Sequence, residues 1–148
     1  MIVVKTPTSS PFCYTRLMKL AAIDVGLKRI GTAIALPGGI VVPQPAILRK
    51  NRNQAARDVN AFLQHWEIEK LIVGIPMGGS AEEEMRRRIE HFVGLLNLSI
   101  PVEFVDEAGS SAEAKALMQG DIRQKRDGRI DSLAAKIILE RYLADRIS

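Results

Sequence analysis

The stretch AAIDVGLKRIGTAIAL, residues 21–36, decides how the rest of the chain is read. Two apolar runs, Leu20 to Val25 and Ile30 to Leu36, flank a short turn over Gly26 to Arg29. That pattern predicts an antiparallel hairpin. One residue breaks its apolar character. Strand alternation places Ala22 and Asp24 on one face and Ala21, Ile23 and Val25 on the other. A carboxylate there is either a satisfied turn residue or a functional group held rigidly by a sheet, and Lys28 and Arg29 bring positive charge close to it.

Beyond the hairpin, PGG at 37–39 turns the chain again, and the proline-interrupted run Ile40 to Leu48 is expected at a sheet edge. From Asn53 to Glu67, Ala55, Val59, Phe62, Leu63 and Trp66 recur at spacings of three and four, which predicts a helix. KLIVGIP, Lys70 to Pro76, is a short and nearly all-apolar strand of the kind buried on both faces of a parallel sheet. The following MGGS lacks the lysine of a phosphate-binding loop and reads as a turn into a helix, with Ser80 and Glu83 at capping-box spacing. That helix is expected to reach Asn97, with Met85, Ile89, Phe92, Val93 and Leu96 inward and Arg86 to Arg88 near the surface. PVEFVDE, Pro101 to Glu107, is a strand ending in two carboxylates. A shorter helix over Ser111 to Met118, a basic loop GDIRQKRDG and a last helix from Ile130 to Asp145 complete the chain. The order βββαβαβαα implies an α/β fold, a mixed sheet of five strands with helices on both faces. A pure doubly wound nucleotide fold would not open on a hairpin.

The 148 residues suit one domain. Residues 1–17, with Pro7 and Pro11 among Thr and Ser, read as a flexible N-terminal extension ahead of a domain over 18–148, and MKLAAIDVG from Met18 would open directly on a strand. Cys13 is the only cysteine, so no intrachain disulfide forms and a reducing, cytoplasmic setting is expected. With His65 and His91 the only histidines, a structural zinc site is not expected. No apolar run approaches the roughly 18 residues of a membrane span, so no membrane partner is expected. The net charge of +4 is locally concentrated: Lys28 and Arg29; Arg49, Lys50 and Arg52; Arg86 to Arg88; Arg123, Lys125, Arg126 and Arg129. Any one cluster suits a solvated face, but together they favour a polyanionic partner.

Two further acidic positions join Asp24. In RIDSLAAKIILERYL, Asp131, Ala135 and Ile138 fall at i, i+4 and i+7, so an acid shares a stripe with buried aliphatics. Asp131 also lies in the first helical turn, where a carboxylate favours the helix dipole. Asp106 and Glu107 end a strand, and ligands gather at the carboxyl ends of parallel strands. Carboxylates converging with no nearby histidine or cysteine suit a hard cation, Mg²⁺ or Mn²⁺. Two such ions about 4 Å apart activate water and stabilise the leaving oxygen in phosphodiester cleavage. Basic residues nearby, Lys28, Arg29, Arg123, Lys125, Arg126 and Arg129, would hold phosphates.

DVGLKRIGTAIA, VGIPMGG, VDE and IDSLAAKIILERYL, in that order, resemble the YqgF family of bacterial proteins, over about residues 18 to 145. The resemblance implies a ribonuclease H-like fold and a metal-dependent nuclease that processes the 5′ end of pre-16S ribosomal RNA or resolves Holliday junctions. It assigns the catalytic and metal-binding acids to Asp24, Glu107 and Asp131, with Asp106 a neighbour or substitute. The implied partner is precursor rRNA or branched DNA, met by a monomer or weak homodimer. This chain departs from the family where the usual DERLTT reads Asp106-Glu107-Ala108-Gly109-Ser110-Ser111. Ala108 replaces an arginine, which keeps open a non-catalytic nucleic-acid-binding factor in ribosome maturation or transcription.

Overall fold

The sheet is built from β1 (Leu20–Val25), β2 (Arg29–Leu36), β3 (Ile40–Leu48), β4 (Lys70–Ile75) and β5 (Val102–Asp106). Three helices accompany it: α1 (Arg52–His65), α2 (Ser80–Leu96) and α3 (Arg129–Ile147). The structure, a computed structural model, describes residues 18–76, 80–106 and 129–147. The expected extension over 1–17, the turn at 77–79, Glu107 with Ala108, the helix expected over 111–118 and the basic loop over 120–128 lie outside the described residues.

The strand order is β3-β2-β1-β4-β5. β2 runs antiparallel to both β1 and β3, whereas β4 lies parallel to both β1 and β5. This is the expected mixed sheet, and sequence pattern explains each place in it. β1 and β4, apolar on both faces, occupy the interior, with every residue of β1 buried. β3 carries Pro43 and Pro45, which cannot donate to a ladder, and takes the edge.

Helices cover both faces. Ala21, Ile23 and Val25 pack with Val59 and Leu63 of α1 and Ile89 and Phe92 of α2. Leu20, Ala22, Ala33 and Ala35 pack with Ala135, Ile138 and Leu139 of α3. The small residues on this second face let α3 lie close to the sheet. α1 begins at Arg52, one residue earlier than the periodicity predicts, because Asn51 caps it: Asn51 Oδ1 accepts the Gln54 N–H at 2.8 Å, and Gln54 Oε1 accepts the Asn51 N–H at 3.3 Å. No helix among the described residues is long and apolar enough to cross a membrane.

Candidate active site

Asp24 lies near the carboxyl end of β1, 9% exposed, on the face that α3 covers. Its partner across the hairpin is Gly31 of β2. A methyl group at Gly31 would overlap the carbonyl of Asp131 and come within 2.8 Å of the Ser132 amide nitrogen. Glycine here gives space for a helix backbone to touch the sheet. Gly31 therefore joins the two acids: it is the cross-strand neighbour of Asp24 and the backbone contact of Asp131.

A bulge fixes that contact. Between Ile30, paired with Ile47, and Thr32, paired with Gln44, two residues of β3, Pro45 and Ala46, stand opposite Gly31 alone. The ladder is interrupted there, and Ser132 fills the gap. Its Oγ accepts the Thr32 N–H at 3.3 Å and donates to the Gln44 carbonyl at 2.5 Å. Thr32 Oγ1 donates to the Pro45 carbonyl at 3.1 Å. Ser132 and Thr32 are both buried, so each bond satisfies a group that would otherwise be costly to leave unpaired. The residue after Asp131 is thus stitched into two strands at once, which fixes the first turn of α3 against Gly31, the cross-strand neighbour of Asp24.

The basic turn is held as firmly. The Arg49 amide donates to the Lys28 carbonyl at 2.8 Å, the Arg49 guanidinium donates to the Gly26 carbonyl at 2.9 Å, and the Gly26 amide donates to the Arg29 carbonyl at 2.9 Å. Lys28 is exposed at the tip, and Arg29 is half-buried. Two positions before Gly31, Arg29 falls by alternation on the Asp24 face.

Asp106, exposed at the end of β5, pairs in register with Ile75 of β4 and so lies two strands from Asp24. Val105 packs on the α3 face, and Asp106 takes the alternate position on its strand. Arg129 opens α3. Glu107, Arg123, Lys125 and Arg126 lie outside the described residues. Among the described residues no three Asp, Glu, His or Cys side chains gather into a metal-sized cluster; Asp24 and the Asp131 backbone share Gly31 as a neighbour. Gly31 and Ser132 are the positions that sequence reasoning missed. The glycine bounding GLKRIG and the small polar residue following Asp131 were the available signals.

A hairpin-led five-stranded mixed sheet, with parallel strands beyond the hairpin and helices on both faces, is the ribonuclease H-like class of fold. A Fowlpox virus resolvase, solved with its substrate Holliday junction DNA, superposes with a TM-score of 0.53 at 13% identity, over 88% of this chain and 100% of that one, a likeness of fold. The chain belongs to the RuvX (YqgF) family, whose model, described as Holliday junction resolvase, matches residues 18–145. A relative from Sulfurovum sp. (strain NBC37-1), named "Putative pre-16S rRNA nuclease", is 72% identical over 127 residues, 86% of this chain and 99% of its own length. One of the same name from Sulfurimonas denitrificans is 52% identical over 129 residues, 87% of this chain and 99% of its own.

Proposed function

We propose that the protein is a metal-dependent endonuclease acting in the cytoplasm on structured nucleic acid, with the 5′ end of pre-16S ribosomal RNA as substrate. The observation that carries this reading is that Gly31 neighbours both residues, Asp24 as its cross-strand partner and Asp131 through the backbone carbonyl. Two carboxylates offering only oxygen donors, one of them buried in the sheet, suit Mg²⁺ or Mn²⁺. Asp24 and Asp131 would hold the ion, with Glu107 as the third acid that the family resemblance supplies. When bound, such an ion polarises the phosphodiester and makes water a stronger nucleophile.

The chain's own residues do the positioning. The central strand holds the Asp24 backbone rigidly, and the bond from Ser132 to Gln44 sets the approach of Asp131. Arg29, on the same face, is placed to neutralise a phosphate oxygen near the acids, and Lys28 meets the backbone as it crosses the turn. A single cut in a precursor RNA needs one copy of this site. The family's description as a resolvase favours branched DNA as the second reading, and symmetric cutting of a junction needs two copies.

The test compares cleavage of a labelled pre-16S fragment and a four-way DNA junction with Mg²⁺ or Mn²⁺, wild type beside Asp24→Asn. Wild type is expected to cut the RNA, and the variant to lose about 10³-fold in rate, corresponding to about 4 kcal/mol of transition-state stabilisation. Preference for the junction selects the resolvase reading. Binding of both substrates by wild type without cleavage of either overturns the nuclease and leaves a binding factor.

A further inference from the structure

Around the end of β1 from Asp24, on the α1 and α2 side of the sheet, lies a groove of about 670 Å³. Val25, Met85 and Ile89 line it with apolar surface, and Leu27, 64% exposed, stands at its lip. Arg49, Arg52, Arg87 and Arg88 also line it. Glu84 is present too and pairs with Arg88 at 3.6 Å, so positive charge remains in excess.

These cations are assembled against an electrostatic cost. Arg52 occupies the first turn of α1, which holds no acidic residue, although the helix dipole there favours anions. Its Nη1 lies 3.2 Å from Nε2 of His91. The Arg49 guanidinium lies over the Phe92 ring, 5.2 Å from the centroid. Desolvation, and after it the charges of Arg52 and Arg88, lower its pKa from the ordinary arginine value. Like charges crowded at the positive end of a helix create a field that an anion would relieve.

We infer that the groove takes an unpaired nucleotide of the substrate strand, its base on the apolar surface and its phosphates on Arg52 and Arg88. A duplex keeps its bases stacked inside and would present only phosphates, leaving the concave apolar surface unused; an unstacked base is complementary to it. An acidic peptide would satisfy the arginines and equally leave that surface bare. The volume falls within the range of about 300–1,000 Å³ typical of small-ligand clefts, which is room for one nucleotide. Because Val25 follows Asp24 directly, a strand leaving the acids passes over the turn at Lys28 and enters the groove. The inference rests on the nuclease reading for the identity of the polymer.

The test uses fluorescence anisotropy of the full chain in EDTA with two labelled RNA hairpins, one blunt and one carrying a short single-stranded tail. Wild type is expected to bind the tailed hairpin roughly tenfold more tightly, the effect of stacking one base. Arg52→Ala/Arg88→Ala is expected to abolish that advantage, to leave the blunt hairpin within about twofold, and to flatten the salt dependence for the tailed one by about 1.4 in log–log slope. Leu27→Ser should cut the advantage about threefold at unchanged slope, since it removes apolar contact and no charge. Equal affinity of wild type for both hairpins overturns the inference, as does a double variant that weakens both equally. Polyglutamate that competes better than the tail, and fails to bind the double variant, assigns the groove to an acidic protein instead. Cleavage is scored separately with Mg²⁺: the nuclease reading fails if wild type does not cut, whereas the groove assignment fails on anisotropy alone.

Discussion

The two sides of β1 meet at one strand end and are built by opposite means. On the α3 side, at this strand end, the contacts involve backbone: Gly31 lies against the Asp131 carbonyl, and the buried Ser132 hydroxyl bridges backbone groups of β2 and β3. On the α1–α2 side the groove is walled by long cationic side chains, several of them at the surface. The first arrangement tolerates almost no change in shape, while the second tolerates change in shape and responds to change in charge. The proposed metal chemistry would need the former, because ligand oxygens must be held to about half an ångström. The strand binding inferred for the groove would be served by the latter, because stacking and phosphate contact are tolerant of sequence.

The strongest way to break this comparison is Gly31→Ala. The added methyl meets backbone, which cannot rotate away, so a loss of about 2–3 kcal/mol in urea unfolding is expected. Cleavage should fall with it, and wild-type stability in this variant would show that α3 does not touch the sheet there. Ser132→Ala comes next. It leaves the Thr32 N–H and Gln44 carbonyl without this bridge, at a cost of about 1.5 kcal/mol. If Ser132 orients Asp131, kcat drops at temperatures well below unfolding while RNA affinity in EDTA holds; parallel loss of both would make the residue merely structural.

Gly94→Ala sharpens the contrast from the other side. In α2 the same methyl meets nothing within 4 Å, so a gain of up to about 1 kcal/mol is expected in the same urea titration, with cleavage unaffected. The smallest effect is expected at the far end of β4. There Lys70 Nζ lies 2.8 Å from Glu103 and donates to the Tyr142 hydroxyl at 2.7 Å. Burial lowers the Lys70 pKa, but the bonds to Glu103 and Tyr142 outweigh it and raise the value above the ordinary 10.5. A raised lysine stabilises fully below about 10.5 and loses that contribution as pH rises through the folded value. Lys70→Met is therefore expected to cost about 0.5 kcal/mol at pH 8 and less at pH 11, read from paired urea midpoints. A cost that grows with pH would contradict the sign.

Much of the fold was legible because it rests on local patterns. Alternation in LAAIDV and RIGTAIAL predicts the hairpin and the face of Asp24; prolines send β3 to the edge; KLIVGI announces an interior strand. The start of α1 was displaced by one residue because a side-chain cap, not periodicity, sets it. The acids at 24 and 131 were legible as carboxylates on otherwise buried stripes. That the start of α3 reaches Gly31 beside Asp24 was not, since it depends on a glycine and a bulge more than 80 residues from Ser132 in the chain.

The amino-acid sequence by itself determined the order of the described elements, the faces of their strands and helices, and which positions on those faces carry acids. These follow from periodicity and residue type, which are properties of neighbours along the chain. Tertiary structure alone decided that Gly31 lets α3 reach the sheet, that Ser132 closes the gap between β2 and β3, and that Arg49, Arg52 and Arg88 share one groove. Close approach and charge convergence are properties of residues far apart in sequence, and only packing brings them to the same place.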